Sequence, residues 1–270
     1  MCLVFFALKA HPGFPLLLAG NRDEFYDRPT APAAFWAEDS RVLAGKDLKE
    51  NGTWMGVTRQ GRWAAITNFR DPASVRANAP SRGGLVLNFL QGREPPGTYL
   101  AGLLPEAGRY NAFNLVAGQM GEAFCLCSRQ GRVQALEPGI YGLSNRFLDT
   151  PWPKVIKAKN GFQDFVRGLP GGADPDFRAL FELLSDTSVP PDSDLPDTGV
   201  GLDWERMLGS IFICSKVYGT RSSMALAISA SGTVFFEERT TDRETLPAMA
   251  LQNRINRFVF PINHEKESVA

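Results

Sequence analysis

Cys2-Leu3-Val4-Phe5-Phe6-Ala7-Leu8 and Leu16-Leu17-Leu18-Ala19-Gly20-Asn21 are the two apolar runs from which the fold is read. Each is too short for a helix and contains β-forming residues, so each predicts a buried strand. Pro12-Gly13 turns the chain between them, which predicts a hairpin with a long loop. The second run ends on Asn21-Arg22-Asp23-Glu24-Phe25, four polar residues at the end of a strand, where functional loops commonly lie. On an extended chain Asn21 and Asp23 face one way, and Arg22 and Glu24 the other.

Outward from this hairpin the chain alternates short apolar runs with turn chemistry. Pro29 and Pro32 open an irregular connection. Thr53–Thr58 and Trp63–Thr67 flank Arg59-Gln60-Gly61-Arg62, a tight hairpin loop. Leu85–Leu90 predicts a helix with Ser81 as its cap, and Thr98–Leu104 predicts another. Strands follow at 113–118, 123–128 and 132–136. Val155, Ile156, Phe162, Phe165 and Val166 share one face of a helix over 153–168, and Asp176–Leu184 predicts a further helix. Residues 186–201, rich in Pro, Asp, Ser and Gly, predict a loop. Strands return at 211–217, 223–229 and 233–238, the last two joined through Ser231-Gly232. Hairpins without regular βαβ alternation predict an α+β fold. The strands after the 186–201 loop need partners from the N-terminal part, so one domain over 1–270 is expected.

The composition excludes several functions. Lys plus Arg and Asp plus Glu are 29 each, so the net charge is zero, and no nucleic-acid partner is expected. No apolar stretch is long enough to span a bilayer, and the N-terminus lacks the parts of a signal peptide, so no integral membrane segment and a cytoplasmic location are expected. His11 and His264 are the two histidines, and with Cys2, Cys125, Cys127 and Cys214 they give no zinc or haem-attachment spacing. No metal and no required cofactor are expected. Cys125 and Cys127, two apart on a strand, share a face as two buried thiols.

The chemistry centres on Cys2. Removal of Met1 would leave a thiol and an α-amine on one residue, and the amine can serve as general base for its own nucleophile. Any chain can carry a cysteine at position 2, so position alone decides little. Asn68, Asn145 and Arg221 each follow an apolar strand, as Asn21–Glu24 do. Asparagine amides can donate to an oxyanion, and an arginine can hold a thiolate or a carboxylate. Alone, each is an ordinary turn or capping residue. Together they supply what acyl transfer requires.

Met1-Cys2-Leu3, Ala19 to Pro29, Asn51-Gly52-Thr53-Trp54-Met55-Gly56, Thr67-Asn68-Phe69-Arg70, Tyr141-Gly142-Leu143-Ser144-Asn145 with Thr150-Pro151-Trp152, and Tyr218-Gly219-Thr220-Arg221 occur in an order that resembles the NRDE family, the transport and Golgi organisation 2-like proteins. The resemblance runs over about residues 1–240. That family is more distantly similar to the choloylglycine hydrolase and penicillin V acylase group. The resemblance implies a four-layer αββα sandwich of the N-terminal nucleophile hydrolase type, with catalytic roles for Cys2, Arg22, Asp23, Asn68, Asn145 and Arg221. Asn68 or Asn145 would bind the oxyanion, and Arg22 or Arg221 would support the thiolate or a substrate carboxylate. The acylase pattern has two residues between its Arg and Asp, whereas Arg22 and Asp23 are adjacent. Matching that register puts Asn21 and Glu24 at those positions.

Asn21, Glu24, Arg28, Arg70 and Arg82 are candidate ligand-binding residues, and Arg146 adds a further cation. The resemblance implies a small acyl compound as substrate. It also implies haem or acyl-CoA as a ligand carried in the same pocket without catalysis. The oligomeric state is left open.

Overall fold

The computed structural model describes residues 2–119, 121–171, 174–241 and 254–263. Met1 and His264 lie outside the described residues. Two antiparallel sheets face each other. One has the order β10-β1-β2-β11-β12-β13, from β1 (Cys2–His11), β2 (Phe14–Phe25), β10 (Gly139–Leu143), β11 (Tyr218–Ile228), β12 (Thr233–Thr240) and β13 (Arg254–Pro261). The other runs β3-β4-β5-β6-β7-β8-β9, from β3 (Thr30–Phe35), β4 (Val42–Asp47), β5 (Met55–Thr58), β6 (Trp63–Asn68), β7 (Phe113–Gln119), β8 (Glu122–Cys127) and β9 (Arg132–Ala135). Helices α1 (Gly83–Gln91) and α2 (Pro96–Leu103) cover the second sheet. Helices α3 (Pro153–Gly168) and α4 (Arg178–Leu184) cover the first, and α5 (Leu202–Leu208) follows them. The result is the α+β class read from the sequence, in the αββα sandwich that the family resemblance implied.

The unbroken apolar character of β1 follows from this layering. Leu3, Phe5 and Ala7 pack with Phe162 and Val166 of α3. Val4, Phe6 and Leu8 point the other way, into the core between the sheets. A strand buried on both faces has no polar side, so it loses the alternation of a half-buried one. Phe5 meets Phe162 at 5.0 Å, and Phe6 meets Trp63 of the facing sheet at 6.0 Å between ring centroids. Cys125 and Cys127 on β8 are buried free thiols.

Several expectations are corrected. The β1–β2 loop is short, because β1 runs on to His11, which pairs with Phe14 across Pro12-Gly13. The connection after Pro29 is an edge strand, β3, whose register shifts between Ala31 and Ala34, a place where Pro32 can sit without a ladder hydrogen bond. Inside that irregularity the Ala33 N–H donates to Glu238 Oε2 of the other sheet at 2.5 Å. Residues 211–217 are not a strand. Ile211, Phe212 and Ile213 are buried, but their backbone is satisfied piecemeal: the Phe212 N–H donates to the Asp186 carbonyl and the Ile213 N–H to Thr220 Oγ1. The ladder begins at Tyr218, so β11 starts earlier than the expected 223. Helix α1 starts at Gly83 with Arg82, not Ser81, in the capping position, and the Ser81 hydroxyl stands 3.4 Å from the Gly83 N–H.

One glycine fixes the site's wall. A Cβ on Gly52 would come within 2.5 Å of the Gly83 carbonyl carbon and 2.9 Å of the Gly84 nitrogen. The β4–β5 connection and the start of α1 therefore touch backbone to backbone, and the Thr53 N–H donates to the Gly83 carbonyl at 3.2 Å. Gly52→Ala is expected to cost about 1–3 kcal/mol by overpacking. A urea melt reads this as a lowered midpoint, and an unchanged midpoint would mean that the contact yields freely.

Candidate active site

Cys2 opens β1 and pairs with Arg22 of β2, so the two side chains share the face turned towards the other sheet. Both line a cavity of about 380 Å3. Asp23, Glu24, Arg28, Asn68 and Arg82 line it too, with Thr53 and Trp54 from the β4–β5 connection. The structure thus brings together seven of the twelve residues singled out from sequence.

The cavity is strongly charged. Arg22 is buried, donates to Thr30 Oγ1 at 3.2 Å and lies over the Trp54 ring at 4.3 Å. Arg82 donates to the Ala112 carbonyl at 3.2 Å. Neither arginine forms an ion pair with a carboxylate among the described residues. Arg28 is paired: Nε and Nη2 both reach Asp47 Oδ2, at 2.9 and 2.6 Å. Burial pushes the Asp47 carboxyl up, but the Arg28 hydrogen bond, the Lys49 N–H and the charges of Arg28 and Arg22 together outweigh it and hold the group below its ordinary value.

Burial raises the Cys2 thiol above its ordinary value, the Asp23 carboxylate adds to this, and Arg22 opposes it. Burial likewise pulls the Arg82 guanidinium down, and the Cys2 thiolate and Glu24 work against that shift. Arg22, Arg82 and the buried Lys154 are among the cations that act on Cys2. Asp23 lies on the helix-facing side of β2. Its Oδ1 accepts from Thr220 Oγ1 at 2.7 Å, and its carbonyl accepts from the Tyr218 hydroxyl at 3.0 Å. Burial raises the Asp23 carboxyl, and Lys154 works to lower it.

The remaining candidates lie elsewhere. Asn21 is buried under the helices, where Nδ2 donates to the Leu184 and Ile211 carbonyls and Oδ1 accepts from Ser223. It holds the irregular 211–217 segment to the sheet. Asn145 is fully buried and braces its partner: Nδ2 donates to the Asn68 carbonyl at 2.9 Å, and its own carbonyl accepts from the Arg70 N–H. Arg70 is paired with Glu205 at 2.7 Å and packs over Trp152. Arg146 covers Phe69 and Phe147. Arg221 falls where the β11 register shifts, between Thr220 and Ser222. It donates to the Phe25 and Arg28 carbonyls, closing the turn after β2, and lines a separate cavity.

Lys154 was not singled out from sequence. It is buried at the start of α3, and Nζ donates to the Leu208 carbonyl at 2.8 Å. Its signal was a lysine on the same helical stripe as Ala158, four residues on. Burial and Arg70 bring its pKa down to about 8, against the pull of Asp23, Glu205 and Cys2. A cation with a lowered folded-state pKa destabilises the fold while it stays charged. The unfolded chain holds this proton up to about pH 10.5, whereas the folded chain loses it from about pH 8. Stability of the native chain relative to Lys154→Met should therefore rise by about 3 kcal/mol between pH 8 and 10.5. Urea melts across that range check it, and a flat difference would contradict the burial.

The four-layer sandwich is a fold of the N-terminal-nucleophile-hydrolase type, with Cys2 at the start of β1 facing a cavity lined by arginines and carboxylates. The structure is similar to that of the C2A variant of the conjugated bile acid hydrolase from Clostridium perfringens, with a TM-score of 0.51 at 10% identity, covering 98% of this chain and 100% of that one. At that identity the likeness is one of fold. The family profile for Transport and Golgi organisation 2 matches residues 1–243, and the chain belongs to that family. It is 37% identical over 261 residues to the Transport and Golgi organization protein 2 homolog of Bos taurus, covering 89% of this chain and 93% of the relative. The Homo sapiens homolog is 34% identical with the same coverage.

Proposed function

We propose that this hydrolase-type scaffold cleaves the C–N bond of a small acylated compound that carries an anionic group, with Cys2 as nucleophile. The observation that carries this reading is the pairing of Cys2 with Arg22 in a cavity where, among the described residues, neither Arg22 nor Arg82 forms an ion pair with a carboxylate. Two such cations oppose the rise that burial imposes on the thiol and leave charge to hold an anion. After Met1 removal, Cys2 Sγ attacks the carbonyl carbon. The thiol proton passes through the Cys2 α-amine to the leaving nitrogen, the C–N bond breaks, and the amine departs. Water then attacks the thioester, releasing the acid and restoring the thiol. Asn68 donates to the oxyanion, Asn145 keeps Asn68 in place, and Asp23 orients the Cys2 end of β1. The solved bile acid hydrolase with its own cysteine at position 2 replaced by alanine supports the assignment by fold.

The test is a panel of N-acyl amides with and without a carboxylate, assayed for amine release. Turnover confined to the anionic members is expected. Equal turnover of neutral members would sink the anion assignment.

A second reading uses the same cavity without catalysis, to carry haem or acyl-CoA in the cytoplasm. The same Arg22 and Arg82, which form no ion pair among the described residues, favour it, since propionates and phosphates are anions. Saturable binding of either ligand with no amide turnover would select this reading. In the described residues no helix is long and apolar enough to cross a membrane.

A further inference from the structure

At the end of the sandwich remote from Cys2, the two sheets part around a larger cavity of about 550 Å3. Cys2 and His11 are the two ends of β1, about 30 Å apart at ~3.3 Å per residue. The walls are mostly apolar, with His11, Gln60, Ser229 and Ser231 among the lining residues. Leu8 and Leu16 pair across β1 and β2 and face inwards, and with Trp63, Ile228 and Ile262 they form the apolar part of the lining. A volume of this size lies within the range of about 300–1,000 Å3 that small-molecule sites occupy.

Lys9 stands at the rim. It has φ +49, a left-handed conformation that a lysine rarely adopts. It lies in the irregularity between Leu8 and His11, and such bulges re-aim a side chain. The re-aimed chain crosses to the other sheet and lies on Gly121, where a Cβ would stand 2.8 Å from Lys9 Cε and 3.4 Å from Nζ. A strained backbone and a glycine opposite thus hold one ammonium group at the mouth of an apolar space. Lys9 makes no ion pair among the described residues.

We propose that this cavity is a second ligand site, for a small amphiphile with an apolar body between the sheets and a single anionic head on Lys9 Nζ. The proposal does not rest on the chemistry at Cys2. The apolar walls supply the affinity by burial, and the exposed ammonium chooses the sign of the head.

Calorimetric titration tests it, with dodecanoate and with dodecyltrimethylammonium, both kept monomeric. The proteins are the full chain, Cys2→Ala, Lys9→Glu and Ile228→Trp. One dodecanoate per chain should bind the native protein and Cys2→Ala equally. Dodecyltrimethylammonium should bind about fivefold more weakly, as an exposed charge pair allows. Lys9→Glu should reverse that preference, and Ile228→Trp should weaken both ligands at least about tenfold by filling the cavity. Lys9 is exposed, so its variant keeps the test decisive if Ile228→Trp does not fold. Dodecanoate binding lost in Cys2→Ala, indifferent to a folded Ile228→Trp, or with a head preference unmoved by Lys9→Glu would overturn the proposal.

Discussion

Cys2→Ala is expected to abolish amide turnover, by about 10^4-fold or more, while leaving the fold intact. Removal of a nucleophile that acts within a concerted set costs on that scale in other covalent hydrolases. The stability argument is separate. Cys2 sits half-buried at the end of a strand whose buried hold comes from Leu3 to Leu8, so loss of one sulfur should shift a urea midpoint little. Cys2→Ser is the sharper variant. It nearly keeps the volume and replaces a thiol with an alcohol of much higher pKa and weaker nucleophilicity. Turnover should fall nearly as far as in Cys2→Ala. Stopped amine release from a folded variant supports the nucleophile role, and release within tenfold of native contradicts it.

The second large effect is on stability. Arg70 and Glu205 form an ion pair with both side chains 4% exposed. Glu205 Oε1 also accepts from the Thr198 N–H and hydroxyl. Arg70 Nε and Nη2 have no hydrogen-bond partner among the described residues, so the guanidinium relies heavily on Glu205. Burial pulls Arg70 down, and Glu205 opposes part of that shift. Glu205→Leu should therefore cost about 3–5 kcal/mol, because it strands a buried cation. That is a large share of a total stability of about 5–15 kcal/mol. The double variant Arg70→Met, Glu205→Leu should recover most of the loss, since a matched apolar pair carries no desolvation cost. Urea melts of both singles and the double complete the cycle. Additive losses would mean that the two charges do not depend on each other.

Much of the fold was legible because burial on both faces writes an unbroken apolar run, and β1 and β2 are such runs. The alternation across Asn21 to Glu24 also held, with Asn21 and Asp23 towards the helices and Arg22 towards the cavity. Segments whose backbone is satisfied by distant side chains were not legible. Residues 211–217 look like a strand because Ile211 to Ile213 are apolar, yet Asn21 and Thr220 take the bonds that a ladder would have made. Pro32 hid β3, since an edge position and a bulge are tertiary facts. Helix α5 is a single seven-residue element, too short to show a period.

The site was legible in part for a similar reason. Cys2, Arg22 and Asn68 stand at strand ends that the sheets gather. Arg221 follows an apolar strand just as they do, but a register shift turns it to the carbonyls of Phe25 and Arg28. Arg82 takes its place beside the thiol from the start of a helix in another layer. No spacing along the chain could have exchanged one for the other.

Intact-protein mass spectrometry of the chain during turnover of an anionic N-acyl amide tests the central claim most directly. The account predicts a chain lacking Met1 that carries one acyl group on Cys2, which disappears as substrate is exhausted. A chain that retains Met1 while releasing amine, or turnover with no adduct on Cys2 under rapid acid quench and unchanged rate in Cys2→Ala, would contradict it.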